Sequence, residues 1–513
     1  MIIKIALLIV FFGIMIIVGV YSRKHATNVN DFVLGGRTVG PWLTAFAFGT
    51  SYFSSVVFIG YAGKFGWDFG LASTWIGLGN ALIGSLMAWM VLGRRTRVMT
   101  NHLQAATMPE FFGKRYESKS LKITASIIIF VFLIPYTASI YNGLSRLFGM
   151  AFDIPYEVCV IVMASLTAIY VILGGYMATA INDFIQGIIM LFGIVAVIAA
   201  VLNGKGGFIQ AIKDLAVFPS ETSATLGQSG AYTSFFGPDP LNLLSVIILT
   251  SLGTWGLPQM VHKFYTIKDE KSIQSGTIIS TLFAVVIAGG SYFLGGFSRL
   301  FDGEAIRTFS SDGTSKIAYD SIVPYMISNL PDILIGITVV LVLSASMSTL
   351  SSLVLTSSST LTLDFLKETF MKTMSSKMQL LIMRILIAVF VAISVILALD
   401  PPKFIAELMG ISWSALAGSF LAPFLYGLYL KRVTKAAVWA SFAVGIGVTV
   451  SNLYLEFLPS SIVAGAVTMV LSLLVVPIVS IVTPKMAKAS VSDIFSCYSK
   501  TVIVSMKDSI EEE

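Results

Sequence analysis

Residues 341–364, LVLSASMSTLSSLVLTSSSTLTLD, are apolar enough to lie in a bilayer yet crowded with hydroxyls. At about 100° per residue on a helix, Ala345, Ser348, Thr349 and Ser352 share one face and Ser351 sits at its margin. Main-chain oxygens inside a helix already bond their own turns. Side-chain hydroxyls beside a locally opened turn do not. Several neutral oxygens on small residues suit a small hard cation, so this face reads as half of a sodium site. Serine and threonine also let membrane helices approach closely and bond across the contact, and packing accounts for each hydroxyl alone equally well.

The other half is expected from residues 41–63, PWLTAFAFGTSYFSSVVFIGYAG, where Gly49, Thr50 and Ser51, then Ser54 and Ser55, interrupt the apolar run at its middle. Short Gly/Ser-interrupted segments at mid-membrane mark the discontinuous helices of secondary transporters. Asp183, in GGYMATAINDFIQG, is a third candidate. It falls between two apolar runs, where a carboxylate is costly. It reads either as a solvated residue in a short cytoplasmic turn or as a cation ligand at the inner end of a pathway. Its neighbour Asn182 reads as a helix cap.

The elements that position these residues must lie in lipid. Of 513 residues, 56% are hydrophobic and 12% charged, the composition of an all-α integral membrane protein. The net charge of +6 calls for no nucleic acid, because Lys and Arg gather in cytoplasmic loops. Cys159 and Cys497, the two cysteines, argue against a disulfide framework or a thiolate metal site. His25, His102 and His262 are far apart in sequence. There is no Walker loop and no nucleophile–base or metal constellation, which speaks against an ATP-driven pump and against an enzyme.

About thirteen spans are expected, at 1–21, 41–63, 69–93, 121–147, 155–180, 183–203, 241–262, 274–300, 331–363, 379–399, 404–430, 433–455 and 461–483. The first has no small-x-small cleavage site after it and is followed by Arg23, Lys24 and His25, so it reads as an uncleaved span. Loops 94–120, 204–240 and 301–330 are long enough for short surface helices. With the N-terminus outside and the C-terminus inside, about 23 of the 33 Lys and Arg fall on the cytoplasmic side. The chain reads as one transmembrane domain, 1–483, with a polar, mobile tail, 484–513, ending in Glu511, Glu512 and Glu513. Two interrupted segments, 41–63 and 241–262 (the latter containing LGTWGLPQMVHKF), each precede four further spans. Five plus five with an odd start implies inverted repeats, about 41–203 and 241–430, whose interrupted helices meet near the midplane.

The chain resembles the sodium:solute symporter family, which includes bacterial proline, pantothenate, sialic acid and sugar symporters. DFVLGGRTVGPW, TSYFSS, SLTAIYVILGGYMATAINDFIQG and SASMSTLSS carry the resemblance, with GLPQMVHKF and DPPKFI adding to it. It implies a ten-helix inverted-repeat core with extra helices at both ends. It also implies a main sodium site formed by the carbonyls of Thr50, Phe53 and Ala345 and the hydroxyls of Ser348 and Thr349. A second sodium site, found in some relatives, would fall on Asp183, Ser348, Ser351 and Ser352. Proline symporters of the family resemble one another in carrying an Asp where this chain has Tyr52, and TSYFSSVVFIGYAGKFGW looks closer to pantothenate-type and related carboxylate transporters.

Solute contacts are expected from the break and the helices around it: Ser54, Ser55, Tyr136, Trp255 and Ser412, with Thr254 behind. Trp42 and Tyr21 read as interfacial anchors. No mid-span Arg or Lys is evident, so an anionic solute would meet helix N-terminal amides, hydroxyls or bound sodium. The expected function is sodium-coupled symport of a small organic solute, a carboxylate or amino acid, by alternating access at the cell membrane. A proton-coupled symporter of the same fold is the alternative. A cation channel is a further one, disfavoured by the broken-helix pair.

Overall fold

Hydrocarbon offers a backbone no partner but itself, so segments that cross it close their own hydrogen bonds as helices. The computed structural model describes residues 2–23, 27–152, 154–222, 225–309, 315–400 and 404–499. Lys24, His25, the Pro401–Lys403 part of DPPKFI and the three final glutamates lie outside them. Among the described residues ten helices are long and apolar enough to cross a membrane. The bent pair Pro240–Trp255 and Pro258–Thr266, turned by 40°, makes an eleventh span.

That count departs from the thirteen expected. The runs Val56–His102 and Tyr156–Asn203 are each counted as one helix, although each takes in two apolar stretches. Both contain a glycine in a non-helical conformation: Gly70 has φ 62 and ψ −140, and Gly175 has φ 55 and ψ −148. Gly175 also moves the expected boundary. The turn lies there, not at 181–182, and Asn182 is a buried residue inside the helix rather than its cap.

Burial sorts the helices into centre and rim. In the most apolar window of Ile405–Tyr429, 89% of residues are buried, and in that of Asp332–Thr369, 83%. The corresponding shares for Ile3–Ser22 and Ser376–Leu399 are 22% and 33%, so these two present most of their surface to lipid. Trp42 and Tyr21 are exposed, as membrane-surface anchors require. The serine-rich helix Asp332–Thr360 sits at the centre, packed against Pro41–Tyr52, Lys119–Phe152 and Tyr156–Asn203. Its hydroxyls do not break it because they bond back to carbonyls three or four residues earlier, as Ser346 Oγ does to Val342 O at 2.7 Å and Thr338 Oγ1 to Leu334 O at 2.8 Å.

The long loops carry short helices as expected, including Arg94–His102, Met108–Arg115 and Phe208–Val217. The fold is all-helical, as expected, with one small loop hairpin besides. Arg307–Phe309 and Ser315–Ile317 form a two-stranded antiparallel sheet, with Arg307 opposite Ile317. The start of the tail is not the free polar segment expected. Helix Lys488–Ser496 buries Val491, Ile494 and Phe495, the Arg115 guanidinium stands 5.0 Å from the Phe495 ring centre, and Tyr498 Oη donates to Arg95 O at 3.1 Å.

Candidate functional site

Helix Pro41–Tyr52 stops at Phe53, whose φ of −113 and ψ of 111 are extended. Ser54 starts the next segment. Its carbonyl accepts from Val57 N at 3.0 Å and Phe58 N at 3.2 Å, and its Oγ accepts from Val56 N at 3.2 Å. Wider, π-type turns follow over Val56–Tyr61. The break therefore has a local cause: a serine serves as a new N-cap where the first helix ends. It also frees carbonyl oxygens of the last turn, which no later amide in that helix can reach.

The serine-rich helix closes over those carbonyls. Ser348 Oγ donates to Thr50 O at 3.0 Å and to Ala345 O at 2.9 Å. Thr349 Oγ1 is 3.3 Å from Thr50 O, 3.3 Å from Ser51 O and 3.1 Å from Ala345 O. Alongside, Ser346 Oγ accepts from Ser55 N at 3.1 Å, and the Ser51 and Ser352 hydroxyls hydrogen-bond each other at 2.8 Å. Thr50, Phe53, Ala345, Ser348 and Thr349 are all fully buried. The two hydroxyls expected of the main sodium site thus each lie within hydrogen-bond distance of two of its expected carbonyls, those of Thr50 and Ala345, and the fifth residue, Phe53, is the extended residue at the break. An uncharged cluster of carbonyls and hydroxyls, closed to water, can exchange its internal hydrogen bonds for a bound monovalent cation without losing a proton.

The second expected set divides. Asp183 is fully buried within its helix, which removes the solvated-turn reading. Its Oδ2 lies 3.8 Å from Lys263 Nζ, and Lys263 Nζ donates to Ser352 Oγ at 2.9 Å. Ser351 Oγ instead donates to Ser348 O at 2.9 Å. Lys263 is the functional group missing from the sequence reading, which ended the span at 262 and counted Lys263 among cytoplasmic loop cations. Helix Pro258–Thr266 carries it inward, 2% exposed. The signal lay in GLPQMVHKF: the Gly–Leu–Pro bend starts a new helix, and Lys263 lies within its second turn.

The solute candidates also divide. Ser55 Oγ donates to Ile140 O at 2.9 Å, and Trp255 Nε1 to Ile83 O at 3.0 Å, so both polar atoms are engaged in helix packing. Gly143 makes the first contact possible, since a Cβ there would stand 2.8 Å from Ser55 Oγ. Thr254 Oγ1 bonds Gly84 O at 3.1 Å. By contrast, Ser412 Oγ is buried and has no hydrogen-bond partner among the described residues. The buried Tyr136 phenol lies beside Ser54 and Trp413, and Trp413 is a residue absent from the expected solute contacts. Its ring meets Tyr136 edge-on at 5.9 Å and Tyr52 in a stacked arrangement at 6.3 Å. Tyr52 Oη donates to Thr250 O at 2.5 Å, linking the first broken helix to the bent pair. Aromatic walls with buried polar groups fit a small solute with both polar and apolar parts.

A family model for the sodium:solute symporter family matches residues 32–445. The osmoregulated proline transporter OpuE of Bacillus subtilis (strain 168) is 28% identical over 494 residues, which cover 94% of this chain and 95% of that protein. A sodium/proline symporter of Staphylococcus aureus (strain JH9) is 32% identical over 455 residues, covering 85% and 83%. In fold, the chain is similar to a solved Na+-coupled sialic acid symporter in a substrate-bound, outward-open state. The TM-score is 0.75 at 18% identity, over 95% of this chain and 99% of the other. A weaker likeness links it to Mhp1, a nucleobase-cation-symport-1 family transporter, with TM-score 0.52 at 13% identity over 90% and 98%.

Proposed function

The chain belongs to the sodium:solute symporter family, and on that footing we propose that it moves a small amino acid or carboxylate together with sodium by alternating access. The family and the relatives are transporters, not enzymes, and the chain is a multi-pass membrane protein. Sodium is cargo here, bound from outside and released within. The observation that carries the reading is the meeting of Thr50 O, Ala345 O, Ser348 Oγ and Thr349 Oγ1 across two helices. A cation held there bridges the break to the serine-rich helix and firms up the solute site beside it. When the two helices part toward the inside, the oxygens separate, and ion and solute leave together.

Tyr136, Trp413 and Ser412 are the solute contacts this reading favours, because they bring buried hydroxyl and indole groups together with aromatic faces beside the break. The relatives named for proline support an amino acid, while Tyr52 supplies a neutral phenol on the first broken helix. Sodium in the relatives' names and a neutral oxygen cluster support sodium over protons, since hydroxyls and carbonyls offer nothing that titrates near neutral pH. Taking the runs divided by Gly70 and Gly175 as two spans each, with the bent pair as one, supports a reading of thirteen spans in a five-plus-five arrangement. The charge asymmetry of the loops supports an outer N-terminus and a cytoplasmic C-terminus in a cell membrane. The test is uptake into proteoliposomes from a panel of proline, other amino acids, monocarboxylates, pantothenate, sugars and sialic acid. An inward sodium gradient should drive uptake of one class, and an equal potassium gradient should not. Equal uptake with both ions contradicts the proposal.

A further inference from the structure

The symport reading leaves one charged group in the site without a task, the ammonium of Lys263. It enters from helix Pro258–Thr266 and is 2% exposed. Its Nζ stands 3.8 Å from Asp183 Oδ2, donates to Ser352 Oγ at 2.9 Å and lies 5.2 Å from the centre of the Tyr176 ring. A carboxylate, a hydroxyl acceptor and an aromatic face thus surround the ammonium. Neither oxygen of Asp183 accepts a hydrogen bond among the described residues. The lysine is therefore what compensates the buried carboxylate, and a buried charge without such compensation is strongly disfavoured.

Asp183 and Ser352 are also two of the four residues that would hold a second sodium. We propose that the Lys263 ammonium is the resident cation of that second site, and that this transporter binds one sodium ion per cycle instead of two. Asp183 and Lys263 sum to zero charge. A sodium ion added between them would leave one uncompensated positive charge in a closed, low-dielectric pocket, with two cations facing a single carboxylate. A cation tethered to the chain also competes at high effective concentration and has no translational freedom to lose on binding. The link to the main site is direct: Ser352 Oγ is hydrogen-bonded to Ser51 Oγ at 2.8 Å, and Ser51 O is 3.3 Å from Thr349 Oγ1. The ammonium thus braces, from one side, the two helices that sodium bridges from the other.

The inference rests on the symport reading but fails separately from it. Purified protein in detergent is saturated with radioactive sodium and the ions bound per chain are counted. Wild type is expected to bind one. Lys263→Gln, which leaves the Asp183 carboxylate uncompensated, is expected to bind two and to gain more thermal stability from added sodium than wild type does. Lys263→Arg, which keeps a tethered cation, is expected to bind one. A wild-type chain that binds two ions overturns the inference whatever the variants do, and so does a folded Lys263→Gln that still binds one. A wild-type chain that binds none contradicts the symport reading itself, and the inference falls with it.

Discussion

Ser348 and Thr349 each do two things at once, bonding their own helix at Ala345 O and reaching across to Thr50 O. The face carrying Ala345, Ser348 and Thr349 was legible as a periodicity and the broken partner helix as the Gly/Ser interruption at 49–55, while the particular carbonyl of Thr50 followed only from the family resemblance. Three details could not be read. Ser55 and Trp255 have their polar atoms taken up by carbonyls of neighbouring helices, and no local pattern reveals a partner 85 or 172 positions away. Trp413 looks like any other membrane aromatic until Tyr52 and Tyr136 are packed against it. Lys263 reads as a loop cation because a charged residue next to an apolar run normally marks its end. At this scale the Asp183–Lys263 pair makes a firm prediction. Asp183→Asn leaves the ammonium buried and unpaired, which should destabilise the fold by roughly 3–5 kcal/mol. The double variant Asp183→Asn/Lys263→Gln should recover most of that loss. Thermal unfolding of the purified single and double variants measures both. A double variant no more stable than Asp183→Asn would show that the pair does not act as a unit.

Helix existence was more legible than helix boundaries. Apolar runs located the spans because bilayer thickness sets their length. Within Tyr156–Asn203 the boundary is expected at 181–182, between two apolar runs, with Asn182 as a cap. It lies instead at Gly175, where φ is 55 and a Cβ would stand 2.7 Å from the Phe32 ring and 2.8 Å from Phe32 O. The Gly174–Gly175 pair was the better signal, since only glycine adopts that conformation without strain. Gly175→Ala should cost roughly 1–3 kcal/mol from backbone strain alone, with the contact to Phe32 adding to it, and should lower the melting temperature in detergent. An unchanged melting temperature would mean that the turn tolerates an ordinary residue. The two-stranded sheet at Arg307–Phe309 and Ser315–Ile317 carried no usable sequence signal, because three-residue strands are too short for an alternation to register.

At the level of the whole molecule, composition gave the membrane and the family resemblance gave the architecture. Which helices are central could not be read from hydropathy, which is high for both buried and lipid-facing helices. It emerges from burial, greatest in Ile405–Tyr429 and Asp332–Thr369. The energetics of transport belong to this scale. A membrane potential of 100 mV contributes about 2.3 kcal/mol per charge moved, and a tenfold sodium gradient about 1.4 kcal/mol. One sodium ion per neutral solute therefore supports accumulation of several hundredfold. Collapsing the potential with an ionophore while keeping the sodium gradient should reduce this to about tenfold in proteoliposomes. A residual near a hundredfold would require two ions per solute. The proposed main sodium site underlies all of this, and its most direct test is the sodium dependence of binding in Thr349→Ala beside wild type, measured with radioactive sodium on folded, purified protein. Loss of the hydroxyl should weaken sodium binding at least tenfold, about 1.4 kcal/mol, while the melting temperature without sodium stays close to that of wild type. Sodium binding of unchanged affinity in that variant would contradict the account.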